Sequence, residues 1–181
     1  MAWGEADEAL LERVRRGYER ARWRRAVSGA VPVVMLGALA ILFGQRPWSA
    51  AGFGVAATAL AVLSLWYGRE VQRAVLPAIA AGILPLALAL GANHWHACGP
   101  GGCTSLCVPA CTAGGVLAGL AVAGVGLRRR AGAWYWLAAS GLTVLEGAMG
   151  CSCVGGAGVL GLVAGFSVGV MPGLLRRRVS A

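Results

Sequence analysis

Lysine is absent from this 181-residue chain, and acids are scarce: seven in all, five of them before residue 20. After Glu70 the one carboxylate is Glu146. That leaves no paired carboxylates for hydrolytic acid–base work and no oxygen-rich cage for calcium or magnesium. Histidine is limited to His94 and His96, and no Ser/His/Asp set, phosphate-binding glycine loop or zinc-protease helix accompanies them. The chain is not expected to be an enzyme. Charged residues make up 13% of it, about half the share of a soluble domain. What fills the space is apolar: 58% hydrophobic residues and a mean hydropathy of +0.70. Such a composition belongs to an integral membrane protein.

The net charge of +9 comes from sixteen arginines, and their placement reads as topology. Six apolar stretches follow the polar start, at 27–44, 50–67, 74–92, 107–127, 132–149 and 154–175. Each is long enough, at about 1.5 Å per residue, to cross a hydrocarbon core of about 30 Å. Arginines crowd alternate breaks: Arg13 to Arg25, Arg69 and Arg73, Arg128 to Arg130, and Arg176 to Arg178, with Arg46 the exception. The positive-inside rule then predicts an all-α, polytopic bundle of six transmembrane helices with both termini inside. Trp23, Trp66, Tyr67 and Trp134 to Trp136 fall at the inner interfaces, and Trp48 and Trp95 at the outer ones. The polar tail (1–25) and the membrane domain (26–181) form the two predicted units. No polar domain combines basic and aromatic residues, so direct binding of nucleic acid is not expected.

Within the tail, residues 4–25 read as a helix with Leu10, Leu11, Val14 and Tyr18 on one stripe. Acids lead and arginines trail, the order a helix dipole favours. The stripe suits either the inner leaflet or a cytoplasmic partner, and the sequence leaves both open. Glycines recur four apart, at Gly115 and Gly119 and at Gly161, Gly165 and Gly169. This spacing lets helix backbones approach closely in lipid; it is expected to serve packing within the bundle, with a homo-oligomer surface as the alternative. Pro77 and Pro85 each remove a backbone donor from the third span. The hydroxyls of Thr58, Ser64, Thr112, Ser140, Thr143 and Ser167 are predicted to bond between helices.

Reactive chemistry is confined to two segments on the predicted outer face. One carries His94, His96, Cys98, Cys103, Cys107 and Cys111; the other carries Cys151 and Cys153. In an extended loop His94, His96 and Cys98 point the same way, and Cys103, Cys107 and Cys111 line one face of a helix. Thiolate and imidazole suit a soft transition metal such as zinc or copper. Six cysteines in an oxidising compartment also suit disulfides, and isolated cysteines serve as small buried apolar residues. The histidines tilt the reading towards ligation. Glu146, about one turn before Cys151, is a candidate supporting partner for these ligands.

The layout resembles the NrsF family of bacterial membrane anti-sigma factors. The resemblance is carried by a short basic tail, six small-residue-rich spans, and the stretch from Cys107 through Arg128-Arg129-Arg130 to Gly147-Ala148-Met149-Gly150-Cys151. It implies a bacterial inner-membrane regulator. Cys107 or Cys111 and Cys151 would be its sensing thiols, and the tail with the inner loops would hold a cytoplasmic sigma factor. The extra cysteines, the His-x-His and the brief tail depart from that pattern, in the direction of metal binding. A small heavy-metal transport or metal-handling membrane protein is the alternative, weakened by the lack of cysteine or histidine in mid-membrane or on the inner side.

Overall fold

Short breaks cut the apolar sequence into helices, and some are as short as one residue. Gly68 alone separates the second helix from the third, at φ 69°, a left-handed conformation that a residue with a Cβ rarely adopts. The computed structural model describes residues 3–44, 46–95, 104–152 and 155–179. It contains six helices: α1 (Trp3–Phe43), α2 (Pro47–Tyr67), α3 (Arg69–Trp95), α4 (Thr104–Arg128), α5 (Ala133–Cys151) and α6 (Gly156–Val179). Five of them, all but α5, are long and apolar enough to cross a membrane.

Successive helices run antiparallel. Gly29 of α1 meets Leu65 of α2, while Gly37 meets Gly54. By contrast α3 and α5 run in the same sense, with Ala78 beside Thr143 and Leu86 beside Gly150. The same holds for α4 and α6, where Gly115 meets Leu162 and Ala123 meets Gly173. The alternation gathers Arg22, Arg73, Arg129 and Arg176 at one end of the bundle, where Arg22 donates to the Trp66 carbonyl and Arg129 to the Arg73 carbonyl. Arg46 lies at the other end, beside Gly155.

The helix without a clear membrane-spanning stretch is the central one. α5 packs against each of the other five, and twelve of its nineteen residues are buried. Tyr135, Trp136, Thr143 and Glu146 lower its hydropathy, yet all four face protein. The outward side of α5 carries Trp134 and Leu137, so its polar side chains are kept away from the bundle's surface.

Glycines set the closest contact in the bundle. A Cβ at Gly115, Gly119, Gly165 or Gly169 would run into the backbone of the facing helix, at Gly119 within 2.5 Å of the Phe166 carbonyl oxygen. The four-residue spacing is therefore used between α4 and α6, inside one chain, as the sequence leads one to expect.

The hydroxyls depart from expectation. Thr143 bridges helices, donating to the Ala78 carbonyl at 3.2 Å. Thr58, Thr112 and Ser167 instead bond the carbonyl four residues back on their own helices, to Gly54, Val108 and Val163. A carbonyl one turn away is always within reach of a short side chain, so local bonding wins.

The tail and the first span form one helix. α1 runs 41 residues without a break, roughly twice what a hydrocarbon core requires. Packing begins near Arg22, whose guanidinium lies 5.2 Å from the Trp66 ring centre, and Trp23 meets the same ring edge-on at 5.8 Å. Before that point the helix projects, steadied by the exposed pairs Arg15–Glu19 and Arg16–Glu12, each worth about 0.3–0.5 kcal/mol.

Candidate thiol site

Antiparallel pairing brings the start of α4 to the end of α5. Cys107 and Cys111 are one turn apart on α4, and Cys151 is the last residue of α5. All three are buried, at 1% exposure or less, and none is in a disulfide. The Cys111 and Cys151 side chains lie together in one buried cluster at the α4–α5 contact. Ala89, Ala148 and Leu162 close around them, with Phe53 and Val159 at the edge. Next to Cys151, Ser152 is buried too, and its hydroxyl donates to the Met149 carbonyl at 3.0 Å.

Two thiols in an apolar enclosure can do limited but definite chemistry. They can be oxidised to one disulfide, or lose both protons to a soft metal ion.

The other expected ligands fare differently. α3 continues through Trp95, so His94 sits on helical backbone and not in an extended loop. His96 and Cys98, with which His94 is expected to converge, lie outside the described residues. Of His94 the structure describes the backbone alone. His96, Cys98, Cys103 and Cys153 lie outside the described residues. Among the described residues no three His, Cys, Asp or Glu side chains converge in a way that could hold a metal ion.

Glu146 is fully buried, and neither carboxyl oxygen has a hydrogen-bond partner. It makes no hydrogen bond to the thiol pair. Its carboxyl lies over Gly82 of α3, where a Cβ would approach the Glu146 Cβ to 2.8 Å. Gly82 was not legible as its neighbour from sequence; the signal is a glycine and an acid at facing positions of parallel helices. Pro85 adds to the polarity there, since it leaves the Ala81 carbonyl without a helical donor.

At the far end of the molecule, Leu10, Leu11, Val14 and Tyr18 are all at least 60% exposed on the projecting part of α1. No described residue of the bundle covers the stripe. Comparison with family models, curated proteins and solved structures finds no match to this chain.

Proposed function

We propose that the chain is a multi-pass membrane regulator in which the Cys111–Cys151 pair receives a thiol-directed signal and the projecting α1 delivers the response. One observation carries this reading: two thiols from different helices share an apolar enclosure, at the end opposite the arginines. By the positive-inside rule the arginine end is cytoplasmic, so the pair belongs to the outer face. In this reading all six helices cross the bilayer, α5 included, and both termini are inside. A bacterial inner membrane is the setting in keeping with the NrsF resemblance.

Oxidation passes two electrons and two protons from the pair to an oxidant such as a peroxide and ties α4 to α5. A soft ion, copper or zinc, would instead be held by the Cys111 and Cys151 thiolates, with further ligands drawn from His94, His96, Cys98, Cys103, Cys107 and Cys153, and would take the place of the thiol protons. Either event replaces a packing contact by a rigid link. Because α5 packs against every other helix, a change in its spacing from α4 is shared with α1. The partner in this reading is a sigma factor held on the stripe of Leu10, Leu11, Val14 and Tyr18.

The test is co-purification of cytoplasmic proteins with and without copper or peroxide. Wild type should capture its partner and release it on treatment, while Cys111→Ser/Cys151→Ser should capture and not release. Wild type that captures nothing in either state would end the regulator reading. Transport stands second, favoured by Glu146, since a buried acid in a spanning helix marks ion pathways. Loss of metal uptake by cells expressing Glu146→Gln would move it to first.

A further inference from the structure

At the arginine end, α3, the α4–α5 turn and the first turn of α5 enclose an open cavity of about 420 Å³. It is lined by Arg73, Arg129, Arg130, Ala131, Gly132 and Tyr135. Three guanidinium-bearing residues thus share one wall with no acid among the lining residues.

Each part of this wall is held by something other than mutual attraction. Pro77 leaves the Arg73 carbonyl without its helical donor, and Arg129 supplies one at 3.2 Å. That bond fixes Arg129 across the gap between α4 and α3. Arg130 has φ 48°, left-handed backbone that is uncommon for a residue with a side chain. α5 then starts from Gly132 with no side-chain cap, so its first N–H groups have no side-chain acceptor and carry the positive end of the helix dipole. Tyr135 is 2% exposed, and its hydroxyl has no hydrogen-bond partner. A buried hydroxyl left unpaired costs about 1–3 kcal/mol.

We propose that this cavity is a binding site for an anionic phosphate group. One phosphate answers the wall's needs together: its charge meets the arginines, and its oxygens accept from guanidinium, helix start and phenol. A carboxylate has fewer oxygens to offer. Arginines that only lean towards a headgroup layer would need neither the bare helix start nor Tyr135. The chemistry is shared by an anionic lipid headgroup and a soluble phosphate, and it does not depend on the thiol pair.

The experiment follows the thermal midpoint of the purified full-length protein in detergent. It is titrated with phosphatidylglycerol, with inorganic phosphate, with phosphatidylcholine, and with sodium chloride at matched ionic strength. Phosphatidylglycerol, inorganic phosphate or both should raise the midpoint saturably, and the two controls should not. A response to the lipid alone assigns the headgroup as the source; a response to phosphate assigns the free anion. Arg130→Asn tolerates the left-handed backbone, and Tyr135→Phe removes one oxygen. Each should keep the unliganded midpoint near wild type and weaken the apparent affinity about tenfold. Arg20→Gln, on the projecting helix, should bind as wild type does. The site is overturned if no phosphate probe shifts the midpoint, if phosphatidylcholine or chloride shifts it equally, or if Arg130→Asn and Tyr135→Phe both titrate like wild type.

Discussion

α5 and the projecting part of α1 invert the usual relation between polarity and burial. The first is enclosed by five helices, although it carries Thr143 and Glu146 and is too polar to be recognised as a span by hydropathy. The second exposes Leu10, Leu11, Val14 and Tyr18, which no described residue of the bundle covers. In water this would be a paradox. In a membrane bundle, the outer helices must be apolar because lipid is their solvent, and the inner one is free to be polar. Exposed apolar residues beyond the span then mark a surface kept for something else.

The sharpest way to break the comparison is to overfill α5. A Cβ at Gly147 would lie 2.9 Å from Pro85 and from Leu162, so Gly147→Leu forces two helices apart. Overpacking of this kind costs about 3 kcal/mol or more. Denaturant titration in detergent should show most of the stability gone. A midpoint near that of wild type would mean that α5 is not enclosed as described.

Next in size is the pairing of Gly82 with Glu146. Gly82→Ala should cost roughly 1–3 kcal/mol, because the new methyl group meets the carboxyl-bearing side chain. In a Glu146→Gly background, where the Cβ that the new methyl group would meet is also gone, the same change should cost almost nothing, a coupling that a double-mutant cycle measures directly. Equal costs in both backgrounds would place Glu146 elsewhere. Cys111→Ala and Cys151→Ala should each cost about 1–2 kcal/mol. Together they should cost less than the sum, since each removes the same contact.

How much of this was legible depends on how local the signal is. The arginine breaks at 69 and at 128 to 130 fall within a few residues of helix ends, whereas Arg13 to Arg25 lie inside α1; the glycines four apart do join α4 to α6, because that pattern is set by backbone geometry in lipid. The meeting of Cys111 with Cys151 follows from antiparallel neighbours joined by a short turn. The end of α3 did not follow: Gly91-Ala92-Asn93 reads as a place to stop, but helical backbone carries through His94 to Trp95. Nor did the hydroxyl partners, where a carbonyl on the same helix competes with one across the interface. In sequence the arginines at 73 and 128 to 130 carry a topology signal; that Arg73, Arg129 and Arg130 share a cavity with Tyr135 depends on a tertiary contact no single segment encodes.

The smallest expected effect on stability tests the other half of the comparison. Leu11 and Val14 are 68% and 63% exposed, so replacing both by Asp removes no contact within the chain. Asp is a poorer helix former than Leu by a few tenths of a kcal/mol. An acid at position 11 gains Arg15 one turn later as partial compensation. The denaturation midpoint should therefore stay within about 0.5 kcal/mol of wild type. Capture of a cytoplasmic protein should nevertheless disappear, because a charge placed on an apolar docking stripe must be desolvated on binding. A fall in stability above about 1 kcal/mol would show that the stripe is already covered, by a second copy or by the chain itself. In that event the projecting helix is part of the fold, and its contrast with α5 is lost.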